Sequence, residues 1–126
     1  MEKGKRTTDV LYVEEDPFGS PYVLALAVIS GPGCHAIHRI VQSETTVGAS
    51  PDADFELGDA QVSGQHFRVR INGNLFSIVD LGSTNGTVLN HNQLSKGTRV
   101  RLKNFDEIQV GRTRMLFIAN RFRTET

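Results

Sequence analysis

The chain has 126 residues, 38% of them hydrophobic, and a formal net charge of +0; this describes one domain with a modest core and no overall attraction to nucleic acid or membrane. The longest apolar run, Tyr22 to Ile29, is far short of a bilayer span, and a single cysteine, Cys34, builds neither a disulfide framework nor a zinc site by itself. Charge is nonetheless divided: residues 1–63 carry 4 basic and 10 acidic side chains, net −6, and residues 64–126 carry 10 basic and 4 acidic, net +6, so a basic face is expected if the fold keeps the halves apart.

Residues 1–20 read as a polar leader, with Val10-Leu11-Tyr12-Val13 as room for one short strand. Lys3, Lys5 and Arg6 imitate the start of a signal peptide, but no apolar segment follows before Glu14-Glu15-Asp16, and a cytoplasmic protein is expected. Tyr22 to Ser30 is rich in Val, Ile and Leu and stops at Gly31-Pro32-Gly33, too short to favour a helix. Thr45-Thr46-Val47 is a further strand. From His66 to Ile71, Phe67, Val69 and Ile71 alternate with His66, Arg68 and Arg70, the period of a half-buried strand. Asn72-Gly73-Asn74 then turns the chain into Leu75 to Leu81, which predicts a hairpin. Val100 and Leu102, Ile108 and Val110, and Met115 to Ala119 continue the series. No window holds a helical period over three turns. The expected fold is all-β, an antiparallel sandwich over residues 21–121 with its loops gathered at the ends and residues 122–126 as a tail.

Catalytic readings fail on spacing. Ser63, His66 and Asp80 supply the letters of a triad, yet Ser63 and His66 stand three apart at the start of a strand, which implies no base-orienter relationship. No phosphate loop or dinucleotide fingerprint is present. His35 and His38, beside Cys34, would point to opposite faces of a strand and would not converge on a metal. Asn85-Gly86-Thr87 matches a glycosylation sequon, which is chance in an unexported chain. The expectation is no enzyme, no cofactor and no metal.

Three polar loops remain: Gly48-Ala49-Ser50-Pro51, Val62-Ser63-Gly64-Gln65-His66, and Gly82-Ser83-Thr84-Asn85-Gly86-Thr87. Hydroxyls, an amide and glycine N–H groups suit an oxyanion or a peptide backbone, although Ser, Thr and Asn are also what ordinary turns are made of. Thr-Val-Gly-Ala-Ser, Val-Ser-Gly-Gln-His-Phe, Asp-Leu-Gly-Ser-Thr-Asn-Gly-Thr-Val-Leu-Asn and Asp-Glu-Ile-Gln-Val-Gly, in this order, resemble the forkhead-associated (FHA) domain over about residues 22–120. The resemblance implies about eleven strands in two twisted sheets, with loops at one end that recognise phosphothreonine in a partner protein. It implies that Ser63 and Thr84 face the phosphate, that Asn85 holds the partner's backbone, that His66 braces the loops, and that Gly48 and Gly86 take positive φ.

Two positions depart from the family. Ala49 stands where the phosphate-binding arginine is usual, and Gly64 where a further polar or basic donor is common. One charge-assisted hydrogen bond is worth about 1.5–3 kcal/mol, so the loss weakens binding roughly ten- to a hundredfold. Arg68, nearest in sequence to the second loop, or Arg112 and Arg114 on another turn, could replace the charge; alternatively, Gly64 could open the loop so that backbone N–H groups cup the phosphate.

The expected function is a non-catalytic module of a bacterial signalling or transcription-regulatory protein that reads a phosphothreonine-containing segment. Its sites are Ser63, Gly64, Thr84, Asn85 and Arg68. The alternative is a degenerate FHA domain binding protein without phosphate, through these loops or through the stripes Arg99, Arg101, Lys103 and Arg68, Arg70. Nucleic-acid binding would need those stripes to merge beside stacking aromatics; neutral charge and only 7% aromatic residues count against it. Neither oligomeric state nor the partner is readable, and Met1 fits both a small adaptor and the first domain of a longer protein.

Overall fold

The computed structural model describes residues 22–121; the expected leader with its Val10–Val13 strand, and the tail, lie outside the described residues. Eleven strands follow in chain order: β1 Tyr22–Ser30, β2 Ile37–Arg39, β3 Glu44–Gly48, β4 Phe55–Glu56, β5 Phe67–Asn72, β6 Leu75–Asp80, β7 Thr87–Leu89, β8 Asn92–Gln93, β9 Val100–Leu102, β10 Glu107–Val110 and β11 Thr113–Arg121. They form a six-stranded sheet, β2-β1-β11-β10-β7-β8, and a five-stranded sheet, β4-β3-β5-β6-β9. The sandwich is thus as expected, with one addition: β4 pairs with β3 in parallel, Val47 opposite Phe55. The chain between them must therefore loop back over the sandwich end instead of making a hairpin.

Alternation explains the layers. Leu24, Leu26 and Val28 of β1, Phe67, Val69 and Ile71 of β5, and Met115, Phe117 and Ala119 of β11 are buried, and all belong to one hydrophobic cluster between the sheets. Phe76 packs on Phe117 across this layer with ring centroids 5.5 Å apart. The predicted hairpin is present: Asn72 pairs with Leu75, and Gly73 takes φ 62° at the turn. Of the five two- or three-residue strands only β9 shows in the sequence, where Val100 and Leu102 alternate with flanking cations; β2, β4, β7 and β8 carry too few residues for a period and are silent. Both sheets mix the acidic first half with the basic second half. Basic side chains instead gather locally, on the outer face of the five-stranded sheet.

The registers bring the expected loops to one end. Phe67 at the start of β5 lies opposite Asp80 at the end of β6 and Val47 near the end of β3. Thr87 at the start of β7 lies opposite Val110. Residues 49–54, 57–66, 81–86 and 111–112 are therefore neighbours.

One buried group is unsatisfied. Thr45 faces the core fully buried, and its hydroxyl has no hydrogen-bond partner. An unpaired buried hydroxyl costs about 1–3 kcal/mol, so Thr45→Val should raise the unfolding free energy in urea by about 1 kcal/mol. A loss of stability would mean that the hydroxyl is bonded in solution.

Candidate functional site

The first and second loops are locked to each other through their backbones. Ala49 N–H donates to the Ser63 carbonyl (2.9 Å), Ser50 N–H to that of Gly64 (3.1 Å), and His66 N–H to that of Val47 (2.9 Å). This approach is closer than any side chain allows: a Cβ on Gly48 would lie 2.0 Å from the Gly64 carbonyl oxygen. The expectation of positive φ is corrected here. Gly86 has φ 89°, but Gly48 is not among the positive-φ glycines. Gly48 is required by contact, not by torsion.

His66 joins the second loop to the third. Its ring is fully buried. Nδ1 accepts the Ser63 backbone N–H at 3.0 Å, and Nε2 lies 2.8 Å from the Gly86 carbonyl. The first contact makes Nδ1 an acceptor, so Nε2 carries the proton and donates to Gly86. Two further ties cross the same gap: Thr84 N–H donates to Ser63 Oγ (3.0 Å) and Asn85 Nδ2 to the Gln61 carbonyl (2.9 Å). These bonds leave the Ser63 hydroxyl proton, the Asn85 amide oxygen and one Asn85 N–H uncommitted.

Two buried aspartates hold these loops from behind. Asp80 accepts from Gly82 N–H and Ser83 N–H (both 2.8 Å), Ser83 Oγ (2.7 Å) and Thr87 Oγ1 (2.6 Å). Burial acts to raise its pKa, but the bonds from Thr87, Ser83 and Gly82 outweigh it and hold the carboxyl below its ordinary 3.8. Asp59 accepts from Gln61 N–H (2.9 Å), Arg112 N–H (2.8 Å) and Thr113 Oγ1 (2.7 Å), tying the second loop to the β10–β11 turn. Burial opposes ionisation there too, and the bonds from Gln61, Thr113 and Arg112 with the Arg112 charge again lower the pKa.

Ser63, Thr84 and Asn85, with Ala60, Gln61 and Val62, line one shallow cleft of about 190 Å³. None of the side chains lining it is charged. Gly64 does not line it; it follows Ser63 in the chain, and its carbonyl accepts from Ser50 N–H. Arg68 is not brought together with the others. Its Nε donates to Thr46 Oγ1 (3.3 Å) and its Nη1 lies 3.8 Å from Glu44, which directs it towards the start of β3, away from the loops. Arg114 is paired with Glu107 at 2.8 Å, while Arg112 is exposed on the turn behind Asp59.

The triad letters are not arranged as a triad. Ser63 meets His66 through its backbone N–H, and the Asp80 carboxylate is taken up by Ser83, Thr87 and Gly82. Cys34 and the two nearby histidines are not gathered either. His35 sits in a turn with φ 78°, and His38 stacks on Phe55 at 4.9 Å.

Sequence reasoning missed Asp59 and Gln61 as parts of this end, and it named Ser83 and Thr87 within the third loop without giving either a role. An aspartate followed two residues on by a backbone donor is an Asx-turn signal, and it was available at Asp80-Leu81-Gly82 and Asp59-Ala60-Gln61. Nothing local could announce the bond from Asp59 to Arg112.

A rigid polar lip of loops at one end of a β-sandwich is an arrangement suited to recognition. Comparison with known proteins agrees. The FHA-domain family model matches residues 45–111. An oxoglutarate dehydrogenase inhibitor of Corynebacterium jeikeium is 38% identical over 101 residues, covering 79% of this chain and 68% of the relative. The glycogen accumulation regulator GarA of Mycolicibacterium smegmatis is 37% identical over 101 residues, and this chain spans 62% of its length. A solved FHA domain, studied for phosphothreonine-dependent interactions, superposes with a TM-score of 0.69 at 26% identity, covering 76% of this chain and 95% of that one. The chain belongs to the FHA family, a family of regulatory binding domains and not of enzymes.

Two outcomes follow. Both aspartates have lowered folded pKa values, so the stability they contribute is complete above the ordinary aspartate range and is lost as pH falls through the depressed values. Urea midpoints should hold from roughly pH 7 to 5 and fall on further acidification, with a flatter acid limb in Asp80→Asn and Asp59→Asn; an unchanged limb in both would contradict this. Gly48→Ala should lower stability by about 1–3 kcal/mol as the two loops are forced apart, read from the same denaturation curves.

Proposed function

We propose that this domain reads a phosphothreonine-containing protein segment, with Ser63 and Thr84 facing the phosphate and Asn85 holding the segment's backbone. The observation that carries the reading is the convergence of these three residues on one cleft through the Thr84–Ser63 and Asn85–Gln61 bonds. Gly48, His66 and Gly86 act as the scaffold of that lip. The names of the relatives, an oxoglutarate dehydrogenase inhibitor and a glycogen accumulation regulator, support a regulatory role exercised by binding another protein; a cytoplasmic location is part of the same proposal.

Ala49 takes the place of the family's phosphate-binding arginine in this reading, and binding is correspondingly weak. Residue 49 is well situated for such a role, since its N–H bonds the Ser63 carbonyl. Its methyl is half-buried against the core, so an arginine there would lay its stem over the core edge and extend its head to the lip. At Gly64 a Cβ would meet Ser50 at 3.4 Å, an ordinary contact, so the missing donor there reflects no steric demand. A phosphothreonine brings nearly two negative charges, and neutral donors alone stabilise it weakly.

The test is fluorescence anisotropy with matched threonine and phosphothreonine peptide libraries. Wild type should bind only the phosphorylated library. Ala49→Arg should tighten that binding roughly ten- to a hundredfold, and Ser63→Ala and Asn85→Ala should abolish it. Equal binding of both libraries by wild type would instead favour phosphate-independent recognition through the same loops.

A further inference from the structure

The outer face of the five-stranded sheet holds a cationic surface that the cleft does not use. Arg70 of β5, Ser77 of β6 and Arg101 of β9 are consecutive register partners, so they form one row across three strands. Their chain neighbours Val69, Ile71, Phe76, Ile78 and Leu102 are buried, which puts the row on the outside. Arg99 joins it by donating from Nη1 to Ser77 Oγ at 3.1 Å. The two stripes visible in the sequence thus merge. Arg70, Arg99 and Arg101 line a depression of about 300 Å³ with the exposed Leu75.

The chemistry of this depression defines its occupant. No carboxylate lines it. Glu44 offsets charge only at the β3 side, 3.0 Å from Arg70 and 3.8 Å from Arg68; among the described residues neither Arg99 nor Arg101 has an ion-pair partner. Every cation in the lining is an arginine, whose planar fork matches the two oxygens of a carboxylate. Phe76, the one ring in the lining, is buried and offers no face on which a base could stack. The exposed Leu75 instead gives an apolar side chain of a peptide something to cover. Spacing adds a further condition. Arg99 directly precedes β9 and Arg101 lies within it, and two residues of extended chain span about 7 Å. In an extended peptide, side chains two apart share a face at that same spacing.

We propose that the Arg70–Ser77–Arg101 face docks an acidic, extended segment of a partner protein, with carboxylates on alternate residues against Arg99 and Arg101 and an apolar side chain over Leu75. Recognition here uses neither a phosphate nor a residue of the cleft. The exposed arginines act mainly on orientation and rate of encounter, so binding is weak and salt-sensitive. The same charges repel a second copy of the β9 edge, which leaves the face selective for an acidic chain.

The test is an amide NMR titration of the full chain with a short unphosphorylated peptide of serine and glutamate, glutamate at every second position, and one leucine. Amide signals of residues 70, 75, 77, 99 and 101 should shift with a Kd on the order of 1 mM or tighter at low salt, and return near 1 M salt, where the screening length falls to about 3 Å. Arg99→Glu with Arg101→Glu, both exposed side chains, should weaken binding roughly tenfold or more. A peptide of the same composition with its glutamates three apart, on alternate faces, should bind less tightly. Equal shifts with both peptides, or equal binding of a short oligothymidylate, would overturn the proposal and mark a general polyanion surface. Shifts centred on residues 63 and 84 would also overturn it by placing the peptide in the cleft. So would the absence of any shift, leaving the arginines as guards of the β9 edge. The probe carries no phosphate and the two sites are read by different amides, so the result is independent of the phosphothreonine reading.

Discussion

The Asp80 carboxylate, with no exposure to solvent, accepts four hydrogen bonds from a stretch of eight residues. A buried charge is tolerated only when its lone pairs are filled, and here the filling dictates the path of the third loop. Gly82 and Ser83 must turn their N–H groups inward. Ser83 Oγ then accepts from Gly86 N–H at 2.9 Å, and Gly86 is turned so that its carbonyl meets His66. From there the chain of contacts runs to Ser63 and, through its carbonyl, to Ala49. The three loops are set by one carboxylate in the core, and the exposed side chains at the lip follow from it.

Fold and site were legible in the sequence to different depths. The long strands announced themselves because one face is buried and the other wet, as in Phe67, Val69 and Ile71 against Arg68 and Arg70. Of the short strands β2, β4, β7 and β8 did not, and neither did the parallel pairing of β4, because two or three residues hold too little of a period. The resemblance to a known pattern of residues grouped Ser63, Thr84 and Asn85, and the structure gathers the three on one cleft. The groups that hold them were harder to see. His66 and Asp80 stood out as letters of a catalytic constellation, and the structure shows why both are polar and buried: His66 satisfies backbone groups across the gap between two loops, and Asp80 gathers the N–H and hydroxyl groups of the loop that follows it. Arg68 was put forward by proximity in sequence, and the structure turns it towards Thr46 and Glu44. In a strand the side chain follows its cross-strand neighbours, here Thr46 and Glu44, and not the loop that precedes it.

The distribution of charge separates two surfaces. The cleft presents hydroxyls and an amide without a cation, while the cations of the second half lie across the outer sheet face. A neutral total conceals both facts, since net charge reports on solubility and encounter and is silent about where the charge sits. A ligand carrying a phosphate and acidic flanks would thus meet two unlike faces of the same sandwich.

The ring of His66 touches one loop with each nitrogen, as acceptor from Ser63 and donor to Gly86. Neither loop can swing without breaking a bond in the core, so the lip cannot fold around a guest. In the proposed reading it works as a fixed gauge: a segment that matches the spacing of Ser63, Thr84 and Asn85 loses little to ordering the protein, and one that does not match cannot be accommodated by adjustment. Selectivity in such a rigid mouth is expressed mainly in how long a partner stays and less in how quickly it arrives.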